Sequence, residues 1–404
     1  MERQYLNLQI PPPDTAFGLM ADFEADPHPH KVSLVAGAYR DENGKPWVLP
    51  SVRKAKVQLS EASHEYLGIE GSPRFLSLAK HLIFGPLTSR LTTNFASIQT
   101  VSGTGANHLA AAFLARYLQP KRVFIPSPTW INHRSIWEMA GVEVTEYPYY
   151  SPATKEVDME GMLAALSRAE RNDVIVLQAC AHNPTGVDLT KSQWVQVADL
   201  MCEKRLFTVF DSAYQGFATG DVDEDAWAVR QFTEMVLDSN TYPGLCVAQS
   251  FSKNFGLYGE RVGALHLVVP LHLSAQGARG ELMAIARVEY SNPPRFGPSI
   301  VETVLGGPEL RAQWEADLDT MSSRIRRMRR ELRQRLEKET GKDWSYVERQ
   351  IGMFSYTGLG KDHVARLRDE FHVYLLPSGR LSVCGLNDGN VQYVAHAISQ
   401  VMKD

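Results

Sequence analysis

The sequence predicts an α/β protein: a large, mainly parallel β-sheet flanked by helices, with a smaller α+β region drawn from both ends of the chain. Three observations carry this expectation. Between about residues 95 and 270, apolar strand-like runs alternate with helical patterns, as repeated strand–helix crossovers require. Short clusters of small polar residues follow those runs, at the strand ends where such sheets bind ligands. After Gly341 the pattern changes to short strands, turns and helices, MFSYTGL, HVYLLPSG, RLSVCGLN and a final helix.

Composition narrows the classes. The 404 residues suggest two or three domains, and 44% hydrophobic content excludes disorder as the main state. Lys plus Arg number 42 against 46 Asp plus Glu, a formal charge of −4, which excludes a generally basic nucleic-acid-binding surface. No apolar run is long enough for a membrane span. The opening MERQYLNLQIPPPD has neither a signal-peptide core nor an Arg-rich, acid-poor transit helix, so a cytoplasmic location is expected. Cys180, Cys202, Cys246 and Cys384 are too scattered for a zinc site or disulfide framework and read as small core residues. The DPHPH stretch at 26–30 reads as a loop, and no metal is expected there or elsewhere. Residues 309–340 read as one long helix whose interleaved basic and acidic residues form a solvated face.

Each strand end then has its own chemistry. NFASIQT leads to Ser102-Gly103-Thr104-Gly105 and the helical ANHLAAAFLARYL; free backbone N–H groups at a helix start favour a phosphate. This is neither a dinucleotide fingerprint, because His108 stands at the third glycine, nor a P-loop. RVFIP leads to Trp130, whose indole suits either a flat ring or the core. DVIVLQA leads to Asn183-Pro184-Thr185-Gly186, a turn with a side-chain amide. RLFTVF leads to Asp211-Ser212-Ala213-Tyr214; a carboxylate at a core strand's end needs a cationic partner, a pyridinium nitrogen being one, or a turn to cap. GLCVAQ leads to Ser250-Phe251-Ser252-Lys253. Burial at that point would lower the lysine's pKa and allow a Schiff base with an aldehyde cofactor, with Arg261 close enough to close over a phosphate. Phosphate cradle, flat stacking residue, amide, carboxylate with tyrosine, and lysine, in this order, match what pyridoxal 5′-phosphate requires.

With these motifs the chain resembles the class I aspartate aminotransferases, of the type I pyridoxal-phosphate fold. The resemblance runs from about residue 12 to the C-terminus through VAGAYRDENGKPWVLP, EYLGIEG, SGTGANHLAAAFLA, PTWINHRSIWEMAG, AHNPTGVDLT, FDSAYQGFATGDVDEDAWAVR, QSFSKNFGLYGERVG, YSNPP and LPSGRLSVCGLN. It implies a seven-stranded sheet and a homodimer with shared active sites. It implies an N-terminal arm at 1–14, a large cofactor-binding domain at 46–314 and a small domain from 15–45 and 315–404. Lys253 would carry the cofactor and move the substrate proton, with Tyr214 and Asp211 completing the catalytic set. Asp211 would pair with the pyridine nitrogen, Tyr214 and Asn183 with the ring oxygen, and Trp130 would stack on the ring with His133 nearby. Ser102, Gly103, Thr104, Ser250, Ser252 and Arg261 would hold the phosphate, and Tyr66 would reach the partner's phosphate. On the substrate, Arg380 would grip the α-carboxylate and Arg287 the distal one across the dimer, with Gly37, Trp130 and Asn183 beside them. Two facing guanidiniums select a dicarboxylic amino acid and keto acid, L-aspartate and 2-oxoglutarate.

Several positions depart from the family pattern. Val35 and Ala36 precede Gly37 where Gly and then Val or Ile is usual. Gly68 replaces Pro, Gln178 a common His, Asn107-His108 a Leu-Arg pair, and Gly259 an Asn. Ala36 is expected to loosen the wall over the substrate. The departures leave a second reading, a specialised paralogue with another acidic or aromatic amino acid as substrate, or with β-elimination or decarboxylation as its reaction.

Overall fold

The computed structural model describes residue 8 and residues 13–403. Apart from Leu8, Pro13 and Asp14, the expected N-terminal arm lies outside the described residues. The large sheet contains Phe95–Val101 (β1), Arg122–Ser127 (β2), Glu143–Pro148 (β3), Val174–Gln178 (β4), Phe207–Ser212 (β5), Leu245–Ser250 (β6) and Val262–Val268 (β7). Its order is β1-β7-β6-β5-β4-β2-β3, seven strands as the resemblance implied. β4, β5, β6 and β7 are buried along almost their whole length, as strands covered on both faces must be. All neighbours run parallel except β7, which is antiparallel to both β1 and β6. The start of β7 therefore lies at the carboxyl ends of its neighbours, and the residue just ahead of it, Arg261, enters the same edge as the strand-end clusters.

The SGTG cluster is not a loop. β1 passes directly into the helix Ser102–Tyr117 (α1), and Ser102 turns the corner at φ 64°. Ser102 N–H donates to the Arg261 carbonyl at 3.1 Å, and Arg261 is itself left-handed at φ 53°. Two left-handed non-glycine residues thus face each other, each costing on the order of 1 kcal/mol. Gly263 permits the approach: a Cβ there would stand 2.4 Å from the Ser102 carbonyl carbon.

The long helix is Pro308–Thr340 (α2). Proline at its first turn, an interior free of Gly and Pro, and Gly341 at φ 65° after its end fix its limits. Trp314, Leu318, Met321, Ile325, Met328, Leu332 and Leu336 form its buried stripe at helical spacing. Most of its arginines pair with carboxylates at the surface, as expected. Arg329 departs from that expectation. It is fully buried and donates to the carbonyls of Val347 (2.9 Å), Gly352 (2.9 Å) and Phe354 (2.6 Å). Burial lowers its pKa to about 9.

Segments from near the two ends of the chain pair with each other. Val32–Ser33 pairs in parallel with Val373–Tyr374, Phe354–Tyr356 pairs antiparallel with Arg380–Ser382, and Ser382 N–H donates to Leu34 O at 2.7 Å. One hydrophobic cluster runs through this region and on under the large sheet, joining Val32, Phe251, Trp314, Phe354 and Val401. Cys180, Cys246 and Cys384 are buried and Cys202 half-buried, all as free thiols. Among the described residues, no helix is long and apolar enough to cross a membrane.

Candidate active site

The carboxyl edge of the sheet surrounds a cavity of about 140 Å³. Ser102, Gly103 and Thr104 enter it from the first turn of α1, Trp130 and Asn183 from the turns after β2 and β4, and Asp211 and Tyr214 from the end of β5. Ser250 ends β6, Ser252 and Lys253 follow it, Arg261 precedes β7, and Gly37 closes the side nearest the chain's N-terminal segment. Twelve of the expected positions therefore converge.

The cradle is tight. Ser102 Oγ and Ser252 Oγ are 3.0 Å apart, Ser252 N–H donates to Ser250 Oγ at 3.3 Å, and a Cβ on Gly103 would stand 2.8 Å from the Ser250 Cβ. Arg261 Nη1 donates to Tyr258 O at 2.9 Å, and desolvation lowers the guanidinium's pKa. Such a set, hydroxyls and N–H groups at a helix start beside a desolvated guanidinium, suits a phosphate.

Lys253 keeps some accessible surface as part of the cavity wall. Burial nevertheless lowers its pKa; the Arg261 charge adds to the shift and Asp211 opposes it. Its Nζ is 5.4 Å from the centroid of the Tyr214 ring. Tyr214 is buried and its phenol is pushed well above its ordinary pKa, so it stays a donor. Asp211 Oδ2 meets Nε2 of the buried His133 at 3.1 Å, and Trp130 stands edge-on to that imidazole. Arg380 is half-buried beside the cavity, with its guanidinium 4.2 Å from the Phe354 ring centroid. It donates through Nη2 to Val35 O (2.8 Å) and through Nη1 to Asn183 Oδ1 (3.4 Å), while its buried Nε has no protein partner. Burial lowers its pKa to about 10.

Two expected residues lie apart. Tyr66 is 82% exposed, and the exposed Arg287 donates through Nη1 to Ser291 Oγ at 2.5 Å; neither lines the cavity of its own chain. Sequence reasoning missed two lining residues, Ala213 and Tyr258, whose hydroxyl accepts from Tyr39 N–H at 2.9 Å. Of the departures from the family pattern, Asn107 and Gln178 line the cavity. Ala36 does not. It lines a separate cavity of about 580 Å³ together with Ala38, while Gly37 between them faces the site, so the expected loosening of the substrate wall is not seen. The backbone bends at Gly37 and Ala38, between the two cavities. Cβ atoms at Gly68 and Gly259 would meet only open space, so those departures leave the packing untouched. Among the described residues, no group of three or more His, Cys, Asp or Glu is placed to hold a metal.

A fold of this kind with this set of groups belongs to the aminotransferases: the model of the family Aminotransferase class I and II matches residues 29–398, and the chain is a member of that family. Its relatives are specific. The solved aspartate aminotransferase from Saccharomyces cerevisiae cytoplasm is 45% identical, with 99% of each chain covered and a TM-score of 0.95. An L-tyrosine:2-oxoglutarate aminotransferase of Aspergillus ustus is 46% identical over 96% of this chain and 76% of its own. An aromatic-amino-acid aminotransferase from Burkholderia pseudomallei, solved covalently bound to pyridoxal phosphate, is 41% identical, covering 98% and 99% of the two chains with a TM-score of 0.93.

Proposed function

We propose that this protein is a pyridoxal-phosphate-dependent transaminase that moves an amino group between L-aspartate and 2-oxoglutarate, giving oxaloacetate and L-glutamate by a ping-pong cycle. The observation that carries the reading is the cavity with Lys253 on one wall, its pKa lowered, and with Asp211, the Ser102–Thr104 cradle and an arginine with a free Nε around it. Pyridoxal phosphate, when bound, supplies an aldehyde carbon and a ring that accepts electrons.

The chain's own groups do the rest. Ser102, Gly103, Thr104, Ser250, Ser252 and Arg261 hold the phosphate through hydroxyls, backbone N–H groups and charge. With the cofactor bound, Asp211 would keep a proton on the pyridine nitrogen, and Trp130 would stand beside the ring. Tyr214 and Asn183 donate to the ring oxygen. Lys253, whose pKa is lowered by burial, would be first the nucleophile and then the base that carries the substrate's Cα proton. Arg380, aimed by Val35 O and Asn183, binds the α-carboxylate beside Gly37.

The exposed positions of Tyr66 and Arg287 support a homodimer in which each chain lends these two residues to its partner's cavity, Tyr66 to the phosphate and Arg287 to the distal carboxylate. We further propose that residues 46–314 form the cofactor-binding domain, that 15–45 with 315–404 form a small domain closing over it, and that the protein works in the cytosol. The relatives that act on tyrosine and aromatic amino acids favour one second reading, transamination of an aromatic amino acid in the same cavity.

The test mixes cofactor-loaded protein with excess L-aspartate and no keto acid and follows the absorbance spectrum. Full conversion to the pyridoxamine form, reversed by 2-oxoglutarate, is the expected result. Conversion by tyrosine or phenylalanine but not by aspartate would replace the first reading with the second.

A further inference from the structure

The cavity of about 580 Å³ that Ala36 and Ala38 line has no part in the reaction. It lies between the helix Thr15–Ala25, the segment from Pro29 to Gly44 and the segment from Gly385 to Tyr393. Gly37, on the same segment as the two alanines, lines the catalytic cavity instead, so the two spaces are neighbours but separate. The volume is that of small-molecule sites, about 300–1,000 Å³. Met20, Phe23, Val32, Ala36 and Ala38 give it an apolar surface. Ala36 helps to open it, since the Val or Ile usual at this position in the family would fill part of the space that the alanine leaves.

The polar part of the wall is cationic. Among the described residues, the lining carries two permanent cations, Lys31 and Arg40, with His30 beside them, against one carboxylate, that of the exposed Glu24. Lys31 directs its ammonium to the end of the helix Thr15–Ala25, donating to the carbonyls of Phe23 (2.7 Å), Glu24 (3.3 Å) and Asp26 (2.7 Å), so its bonds go to neutral groups. Arg40 is half-buried, and its guanidinium makes no hydrogen bond or ion pair with any described residue. The nearby acids are engaged elsewhere: Arg324 holds Glu42 at 2.7 Å, and Arg327 holds Asp388. The wall thus offers one guanidinium free to bind, next to apolar surface.

We propose that this cavity is a second binding site, for a small apolar carboxylate whose charged end pairs with Arg40 and whose hydrocarbon lies against Phe23, Val32 and Ala36. A planar guanidinium takes a carboxylate through two parallel hydrogen bonds, and a partly desolvated setting strengthens them. The proposal stands whatever reaction the catalytic cavity performs.

The probe is 4-bromophenylacetate. Crystals of the holoenzyme soaked in it should show a bromine anomalous peak between Phe23 and Ala36, and calorimetric titration should show saturable binding at millimolar concentration or below. Arg380 is a second carboxylate anchor, so the titration is repeated on Arg380→Ala, which should leave this binding in place. On that background Arg40→Gln should weaken it at least about tenfold. Ala36→Ile, which restores a residue usual in the family and so keeps the fold, should weaken it as much by filling the space. The neutral 4-bromophenethyl alcohol should also bind at least about tenfold more weakly than the acid. Bromine in the catalytic cavity alone, binding seen only in the soaked crystal, an alcohol that binds as well as the acid, or an affinity that either Arg40→Gln or Ala36→Ile leaves unchanged would overturn the proposal.

Discussion

Lys253 owes its chemistry to its surroundings, because the same side chain in water would be an ammonium at any physiological pH. Replacing it with alanine should cut turnover by at least about a thousandfold while the phosphate cradle still retains the cofactor; turnover within tenfold of wild type would remove Lys253 from the role proposed. The shift also has a thermodynamic signature. The folded chain releases the Lys253 proton at a lower pH than the unfolded chain, so between the two values the unfolded state binds more protons and stability rises with pH. The contribution is complete above about 10.4, the unfolded value, and is lost as pH falls through the lowered one. Cofactor-free protein should gain melting temperature toward pH 10, and Lys253→Met should lack that gain; parallel curves for the two would contradict it. At this scale the sequence was most legible where a motif places a polar residue directly at a strand end, as with Asp211, Asn183 and Lys253. It was least legible for Tyr258, which reaches the cavity from a turn beyond the lysine, and for Ala36, whose place in the neighbouring cavity depends on the bend at Gly37 and Ala38.

Elements position these groups, and α2 shows how. Arg329 holds the carbonyls of Val347, Gly352 and Phe354 from the helix interior, and the Phe354 ring in turn supports the Arg380 guanidinium. Arg329→Ala should therefore destabilise the protein by about 3 kcal/mol or more, since three buried acceptors lose their donor at once. Urea denaturation measures the loss, and a change under 1 kcal/mol would show that water replaces the guanidinium. The basic run RIRRMRR gave no hint that one of its arginines is buried. Only the helical phase against Met328 and Leu332 separates it from its exposed neighbours. The antiparallel course of β7 was equally unreadable, because a strand buried along its whole length looks the same in either direction.

For the whole molecule, the proposed dimer makes activity a property of pairs. Arg287→Ala should lower kcat/KM for dicarboxylic substrates roughly 10- to 100-fold and for aromatic ones far less; equal losses would exclude a distal-carboxylate role. Mixed refolding of the Lys253→Ala and Arg287→Ala chains should recover on the order of a quarter of wild-type activity, because a hybrid dimer has one site with both lesions and one with none. No recovery would mean that each chain completes its own site. The Val32–Ser33 pairing with Val373–Tyr374 has a different consequence, for the chain as it is made. The early strand must wait for a partner some 340 residues later, roughly 20 to 70 s at ordinary translation speeds. For that interval Val35, fully buried in the finished protein, lacks Tyr374 and Leu376 from its hydrophobic cluster. A nascent chain stalled before residue 373 should therefore be a client for holding chaperones, released once Val373 and Tyr374 have left the ribosome.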